Sequence, residues 1–270
     1  MTGRVTTGAV AVLTHGDLQP EGRLADASNT TLRCWATLDG VSLRCVYKPV
    51  AGERPLWDFP DGTLAGREVA AHLVSAYLGS LDPVWELVPP TVHRDGPLGP
   101  GACQLWIEET GEPLVGFVPA GELPAGWHKI AAAEDTGGTP YLLAHADDPR
   151  LAHMVIFDSV INNADRKGGH VLLGEDGRLY GVDHGVCFHV EPKLRTVLWG
   201  WAGTPLPPAA IPVLEALVKA VEEGPLGEAL AAHLSRPEVA AVARRARRLR
   251  DTGRFASPSP HWPAVPWPPI

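Results

Sequence analysis

The chain has 270 residues, 45% of them hydrophobic, and its 23 Lys and Arg against 31 Asp and Glu leave a net charge of −8. That balance argues against a nucleic-acid binder, whose phosphate contacts need a basic field, and against adsorption on an anionic membrane. No apolar run approaches a membrane span, Met1-Thr2-Gly3-Arg4 does not open a signal peptide, and Cys34, Cys45, Cys103 and Cys187 are scattered, so a cytoplasmic protein with reduced thiols is expected.

The first third has the pattern of β-structure. Residues 10–13, 31–38 and 42–48 are strand-length runs, the last two divided by the turn pair Asp39-Gly40. In the third run Leu43, Cys45 and Tyr47 alternate with Arg44, Val46 and Lys48, as on a sheet edge or a cleft face. A Pro- and Gly-rich stretch over 49–62 follows. Leu64, Val69, Leu73, Val74, Ala76 and Tyr77 then recur at helical spacing, with Gly79 as a stop signal. Strand patterns resume near Thr91-Val92-His93 and over 103–107, which completes a small α+β unit. Residues 109–146 carry little periodicity and are expected to be connecting loops. Asp148-Pro149 opens a helix that carries Leu151, Met154, Val155, Phe157 and Ile161 toward a core. A tight hairpin spans 171–182, turning at Glu175-Asp176-Gly177. After Pro207 the chain is helical, over 211–221, 226–234 and a last helix opened by the capping-box pattern Ser235-Arg236-Pro237-Glu238. The final fifteen residues are too rich in Pro for regular structure.

The hairpin frames two aspartates. Asp165 lies in the polar run Asn-Asn-Ala-Asp-Arg-Lys-Gly-Gly-His, and Asp183 follows the second hairpin strand. Phosphoryl transfer needs metal ions, a cation on the non-transferred phosphates and a carboxylate to position the attacking hydroxyl. A loop aspartate after a helix can serve the hydroxyl, and one at the end of the neighbouring hairpin can hold Mg²⁺. Without further context both are equally compatible with turn residues.

The surrounding pieces supply context. "CVYKPV" contains Lys48, "REVAAHLVSAYLG" followed by "LVPPTV" contains Glu68, "CQLWIE" spans 103–108, "NNADRKGGH" contains Asp165 and "GVDHG" contains Asp183. In this order, across about residues 10–188, they resemble the phosphatidylinositol 3-/4-kinase-like branch of the protein-kinase-like superfamily, and most closely a bacterial, actinobacterial-type family within it. The resemblance implies a two-lobed α+β protein-kinase-like fold: a β-rich N-lobe over 1–108, a mainly helical C-lobe over 109–255 and a Pro-rich tail over 256–270. It implies ATP as ligand, with Mg²⁺ or Mn²⁺. Lys48 would be the ATP-binding lysine and Glu68 its partner. Gln104, Leu105, Trp106 and Ile107 would lead into the segment that reads adenine. Asp165 would be the catalytic aspartate and Asp183 the metal ligand. A cleft-facing strand lysine does need an acid, and Glu68 can supply it; a surface lysine, and a Glu68 paired locally with Arg67, are the plain alternatives.

Departures from the family pattern bear on the phosphates and the metal. No GxGxxG or Walker loop occurs, and "LADASNTTL" stands in the corresponding place, where Ser28, Asn29 and Thr30 either offer donors to phosphate or merely form a turn. His170 stands where the family places an asparagine as second metal ligand; it is either a co-ligand, poorer for Mg²⁺ than an oxygen donor, or a hydrogen-bonded strand residue. Arg166 and Lys167 either neutralise phosphate or acidic substrate or screen Asp165, and a solvated loop accounts for Lys167 equally well.

His184, Cys187 and His189 invite a zinc reading but lack a second Cys/His pair at standard spacing, and neither a GxSxG elbow nor a dinucleotide fingerprint is present. The aromatic and acidic "RPLWDFPDGTLAGRE" either closes over a cleft, docks a partner or covers the sheet. Arg244, Arg245, Arg247, Arg248 and Arg250 read as a solvated helix face, or as a contact for an acidic partner or a membrane headgroup. The expected activity is ATP-dependent transfer of the γ-phosphoryl group to a hydroxyl on a protein or small molecule. A non-catalytic nucleotide-binding regulator and an AMP-transferring enzyme are the alternatives.

Overall fold

Asp39 and Gly40 both take positive φ, 50° and 80°, in the tight two-residue turn that joins β2 (Leu32–Leu38) to β3 (Val41–Pro49). This computed structural model describes residues 2–24, 29–59 and 63–270, the side chains of 2–7 excepted. With β1 (Asp17–Arg23), β4 (Thr91–Gly96) and β5 (Gly99–Leu105) these strands form an antiparallel sheet in the order β1-β2-β3-β5-β4. Helix α1 (Thr2–His15) and helix α2 (Leu64–Leu81) cover it, with Val12 and Leu13 of α1 packed on Cys34, Ala36, Cys45, Tyr47 and Cys103. Ala65 and Val69 of α2 pack with Ala102. Alternation along β3 therefore sends Cys45 and Tyr47 under α1 and leaves Val46 and Lys48 to the α2 face.

Residues 10–13, expected as a strand, lie inside α1. Ala9, Val12 and Leu13 are buried at helical spacing, so the β-branched run serves one apolar stripe rather than two sheet faces. Strand β1 went unseen because it is polar, exposed and contains Pro20, as an edge strand tolerates. Gly79 does not stop α2, which runs on to Leu81. A side chain at 79 would collide with Glu86, so this glycine serves close approach.

Residues 109–146 are not loops. β6 (Val115–Pro119), β7 (Trp127–Glu134) and β8 (Pro140–Ala146) make a second antiparallel sheet in the order β6-β8-β7, so the region after residue 109 opens with strands before becoming helical. Helix α3 (Pro149–Ile161) is capped by Asp148, whose carboxylate accepts from Arg150 N–H at 2.8 Å, and ends at Asn162 in the left-handed region. β9 (Val171–Leu173) and β10 (Leu179–Gly181) are the expected hairpin. α4 (Ala210–Glu222), α5 (Pro225–Ala231) and α6 (Arg236–Thr252) follow, α6 with the Ser235/Glu238 capping box. Arg245 does not sit on a solvated face: it is half-buried and donates to Val160 O at 2.6 Å and His189 O at 3.1 Å. Arg247 and Arg250 pair with Glu222 and Glu215. Among the described residues no helix is long and apolar enough to cross a membrane. The chain is thus α+β, sheet-rich in its N-terminal part and helical in its C-terminal part.

Candidate active site

Lys48 sits on the face of β3 that meets α2, and two carboxylates from distant parts of the chain converge on its amine. One is Glu68 of α2, in direct contact; the other is Asp183, at 2.9 Å. Glu68 is fixed from several sides. Thr63 caps α2, the carboxylate of Glu53 accepts from Leu64 N–H and Ala65 N–H, and the neighbouring Arg67 is turned away to Glu238 and the carbonyl of Cys187. Arg67 is therefore no local partner for Glu68. The second oxygen of Glu68 accepts from His184 N–H at 3.0 Å, which ties α2 to the loop bearing Asp183. Burial alone would lower the Lys48 amine, but Asp183 and Glu68 outweigh it and hold it above its ordinary value. Asp183, facing that amine, is held well below the usual carboxylate range, whereas burial pushes Glu68 up. Asp183 also has φ of +60°, a left-handed conformation uncommon outside glycine.

Asp165 follows α3 on a loop pinned by Asn163, whose side-chain oxygen accepts from Asp165 N–H at 2.9 Å. Burial pushes the Asp165 carboxyl up, opposed by Lys167, 3.5 Å away, and by Arg195. His170 joins the two aspartates. Its Nδ1 donates to the carbonyl of Asp165 at 3.1 Å, and its Nε2 lies 3.4 Å from Asp183 Oδ2. Burial lowers the imidazole to about 4, so at neutral pH its Nε2 carries a lone pair. A lone pair and a carboxylate oxygen at that separation are two acceptors with no proton between them. That donor set fits a divalent cation, its tautomer fixed by the carbonyl behind it. Among the described residues no group of three His, Cys, Asp or Glu is arranged to hold a metal, so phosphate oxygens and water would complete the shell.

Arg166 corrects an expectation. It does not face the cleft. It is fully buried and directs its donors inward: to both oxygens of Asp158, to the carbonyls of His170 and Val182, and to Nε2 of His184. An arginine so occupied binds no phosphate; it joins the Asp165 loop to the Asp183 loop. Asp158 was missed from sequence, although a carboxylate in the apolar run of α3 implies a buried cation.

Gln104 lies on the Lys48 face of β5, paired across the strands with Val46. Leu105 packs on the α1 side of the sheet, and Trp106 and Ile107 follow it out of β5. They line a cavity of about 340 Å³ with Ala9 of α1, Val88, Pro90 and Tyr180. What this segment offers a ligand is backbone: among the described residues the N–H and C=O of Ile107 have no hydrogen-bond partner. Ser28 lies outside the described residues. The side-chain oxygen of Asn29 accepts from Arg54 N–H at 3.0 Å, a contact to the segment that follows β3. The zinc alternative is not assembled, because His184 accepts from Arg166, His189 Nδ1 accepts from Glu191 N–H, and Phe59 packs edge-on against His189.

The segment after β3 does not simply cover the sheet. Asp58 pairs with buried Lys193 at 2.8 Å, and the rings of Trp57, Phe59 and Trp262 stand 5.0–5.5 Å from the Lys193 amine. The C-terminal tail docks as well: Thr196 N–H donates to Ala264 O, and Gly168 N–H to Pro269 O at 2.9 Å. A side chain at 168 would strike Ile270, so this glycine makes room for the tail beside the Asp165 loop.

No protein-family model matches the chain. Protein Rv2133c of Mycobacterium tuberculosis is 51% identical over 268 residues, covering 96% of this chain and 94% of that protein. Among solved structures, the Golgi casein kinase aligns with a TM-score of 0.49 and 12% identity over 93% of this chain and 75% of that one. The Helicobacter pylori proinflammatory kinase CtkA aligns with a TM-score of 0.41 and 11% identity over 90% of this chain and 94% of that one. Superpositions this loose carry no argument about fold or activity.

Proposed function

We propose that this chain, which belongs to the same family as Protein Rv2133c of Mycobacterium tuberculosis, is an ATP-dependent phosphotransferase with a two-lobed, protein-kinase-like fold. The observation that carries the proposal is the convergence of Lys48, Glu68 and Asp183 on one point, with His170 linking Asp183 to the Asp165 loop. The ordered motifs that resemble the phosphatidylinositol 3-/4-kinase-like branch support the same assignment; an inositol lipid as acceptor has no such support.

In this reading Lys48 grips the non-transferred phosphates and Glu68 keeps its amine in place. Asp183 and His170 hold Mg²⁺ or Mn²⁺, which supplies charge neutralisation on the phosphate oxygens. Asp165 orients the acceptor hydroxyl and takes its proton as the new O–P bond forms and the bond to the β-phosphate oxygen breaks, releasing ADP. The raised carboxyl of Asp165 suits a base that must accept a proton. Lys167 and Arg195 offset the charge gathered around it. The free backbone groups of Ile107 read the base edge.

ATP labelled on either the α- or the γ-phosphate, incubated with the purified protein and cell extract, tests the assignment. Label from γ, but not α, is expected in a product that disappears with Asp165→Ala. Label from α instead establishes AMP transfer. Metal-dependent binding with no transfer, unaffected by that substitution, establishes a nucleotide-binding regulator.

A further inference from the structure

Along the β3–β5 pair the side chains on one face run from Lys48 and Ala102 to Val46 and Gln104, and the chain then leaves the sheet toward Ile107. A nucleotide with its phosphates at Lys48 and its base edge at the Ile107 backbone lies along this face, with Gln104 at the inner side of the base. Gln104 is only 6% exposed, yet half of its carboxamide is unused. Its Nε2 donates to Thr91 Oγ1 at 2.8 Å, and the hydroxyl of buried Thr91 donates to Pro89 O at 2.8 Å.

That chain of bonds orients the amide. Thr91 has one hydroxyl proton and gives it to Pro89, so its oxygen must receive, and Gln104 must present nitrogen rather than oxygen to it. Turning the amide over would set two acceptors against each other or strip Pro89 of its donor. Gln104 Oε1 therefore points away from Thr91, and it has no hydrogen-bond partner among the described residues. An acceptor oxygen fixed in this orientation, still accessible on a residue that is otherwise buried, is placed to take an N–H from a ligand.

We infer that Gln104 selects the base: its Oε1 accepts a hydrogen bond from the 6-amino group of adenine, and Thr91 is the positioning residue that keeps the amide in that orientation. Guanine and hypoxanthine carry a carbonyl at the same position, so two acceptors would face each other and neither could be satisfied. Sites built around a specific hydrogen bond reject the analogue that cannot make it more strongly than apolar pockets reject a size mismatch. The inference rests on the nucleotide reading of the cleft and adds what that reading lacks, a reason for adenine.

The test is direct binding of ATP, ITP and GTP to the full chain with Mn²⁺ or Mg²⁺ by titration calorimetry. ITP isolates the 6-position because it lacks the 2-amino group of guanine. ATP is expected to bind at least about tenfold more tightly than ITP or GTP. Gln104→Leu, or Gln104→Met should the first variant fold poorly, is expected to bring the ATP-to-ITP ratio close to one. Thr91→Val is expected to reduce the ratio by freeing the amide to turn. Equal binding of ATP and ITP by the native chain, or a ratio that survives loss of Gln104, overturns the inference, and a ratio unchanged in Thr91→Val overturns the orienting role. If no triphosphate binds, the nucleotide reading fails and takes this inference with it, a result distinct from equal binding of all three.

Discussion

Replacing Arg166 with Met removes one half of an ion pair that water does not reach, Arg166 being 0% and Asp158 1% exposed. Nε and Nη2 donate to Asp158 at 2.8 and 2.9 Å, and Nη1 donates to His170 O and Val182 O, each at 3.0 Å. Methionine fills most of the volume and donates nothing. Among the described residues Asp158 then keeps only the amide of Asn163, at 3.1 Å. Stranding a buried carboxylate in this way costs about 3–5 kcal/mol, a large part of the roughly 5–15 kcal/mol by which a typical domain is stable. For a chain of this size each kcal/mol is worth about 2–4 °C, so a fall in melting temperature of about 10 °C is expected. Removing both charges in Asp158→Leu/Arg166→Met strands neither, and the pair is expected to couple by about 1–3 kcal/mol in a double-mutant cycle. Urea denaturation of the four proteins measures every term. A loss under about 1 kcal/mol in Arg166→Met, with no coupling to Asp158, would refute the reasoning. An Arg166 that faced phosphate would instead leave stability intact and weaken nucleotide binding.

Three further outcomes follow from the same geometry. Burial raises the Asp165 carboxyl, so the folded state holds its proton more tightly than the unfolded chain does, and ionisation costs stability as pH rises through the folded pKa. Asp165→Asn is therefore expected to be more stable than the native chain at pH 7, with the gain shrinking in acid toward the ordinary Asp range near ~4. Thermal melts across pH check this, and a constant difference would contradict it. His170→Asn trades a nitrogen donor for oxygen and is expected to shift nucleotide-linked stabilisation from Mn²⁺ toward Mg²⁺, measured as the ratio of melting-temperature gains with the two metals. Gly168→Ala sets a methyl against Ile270 and is expected to lift the tail, so that limited proteolysis near residue 260 speeds up while unliganded stability changes little.

The site was more legible than the fold around it. Lys48 could be placed because β3 alternates cleanly, and α3 and the β9–β10 hairpin because Asp148-Pro149 and the Asp176-Gly177 turn are strong local signals. Residues 10–13 defeated the same logic: four residues of Val, Ala and Leu fit either period, and only the packing of α1 on the sheet decides between them. The second sheet was hidden because half-exposed strands such as β7, with its run Ile130-Ala131-Ala132-Ala133, bury too little of either face to imprint an alternation. Arg166 was misjudged because its partner Asp158 looks like an ordinary polar position of a helix until its burial is known. The docking of the tail and of Trp57 to Phe59 depends on contacts between segments far apart in the chain, for which sequence spacing carries no signal.

The charges of the cleft bear on how an acidic chain would take in the proposed acidic ligand. Glu68 and Asp183 share the Lys48 amine, Asp165 is offset by Lys167 and Arg195, and His170 is neutral, so the three carboxylates meet three cations. A triphosphate alone would disturb that balance, because to reach Lys48 it must displace Asp183 and leave the aspartate facing phosphate. A divalent cation arriving with it would restore the balance: phosphate would take the place of Asp183 at the amine, and Asp183 with His170 would be left to hold the metal, which would neutralise the phosphate charge. On the proposed reading nucleotide and metal would be coupled through one aspartate, whose backbone is held in the left-handed region at φ of +60°. The buried Arg166 holds it there, since one nitrogen of its guanidinium serves both Val182 O, just ahead of Asp183, and His170 O in the other loop.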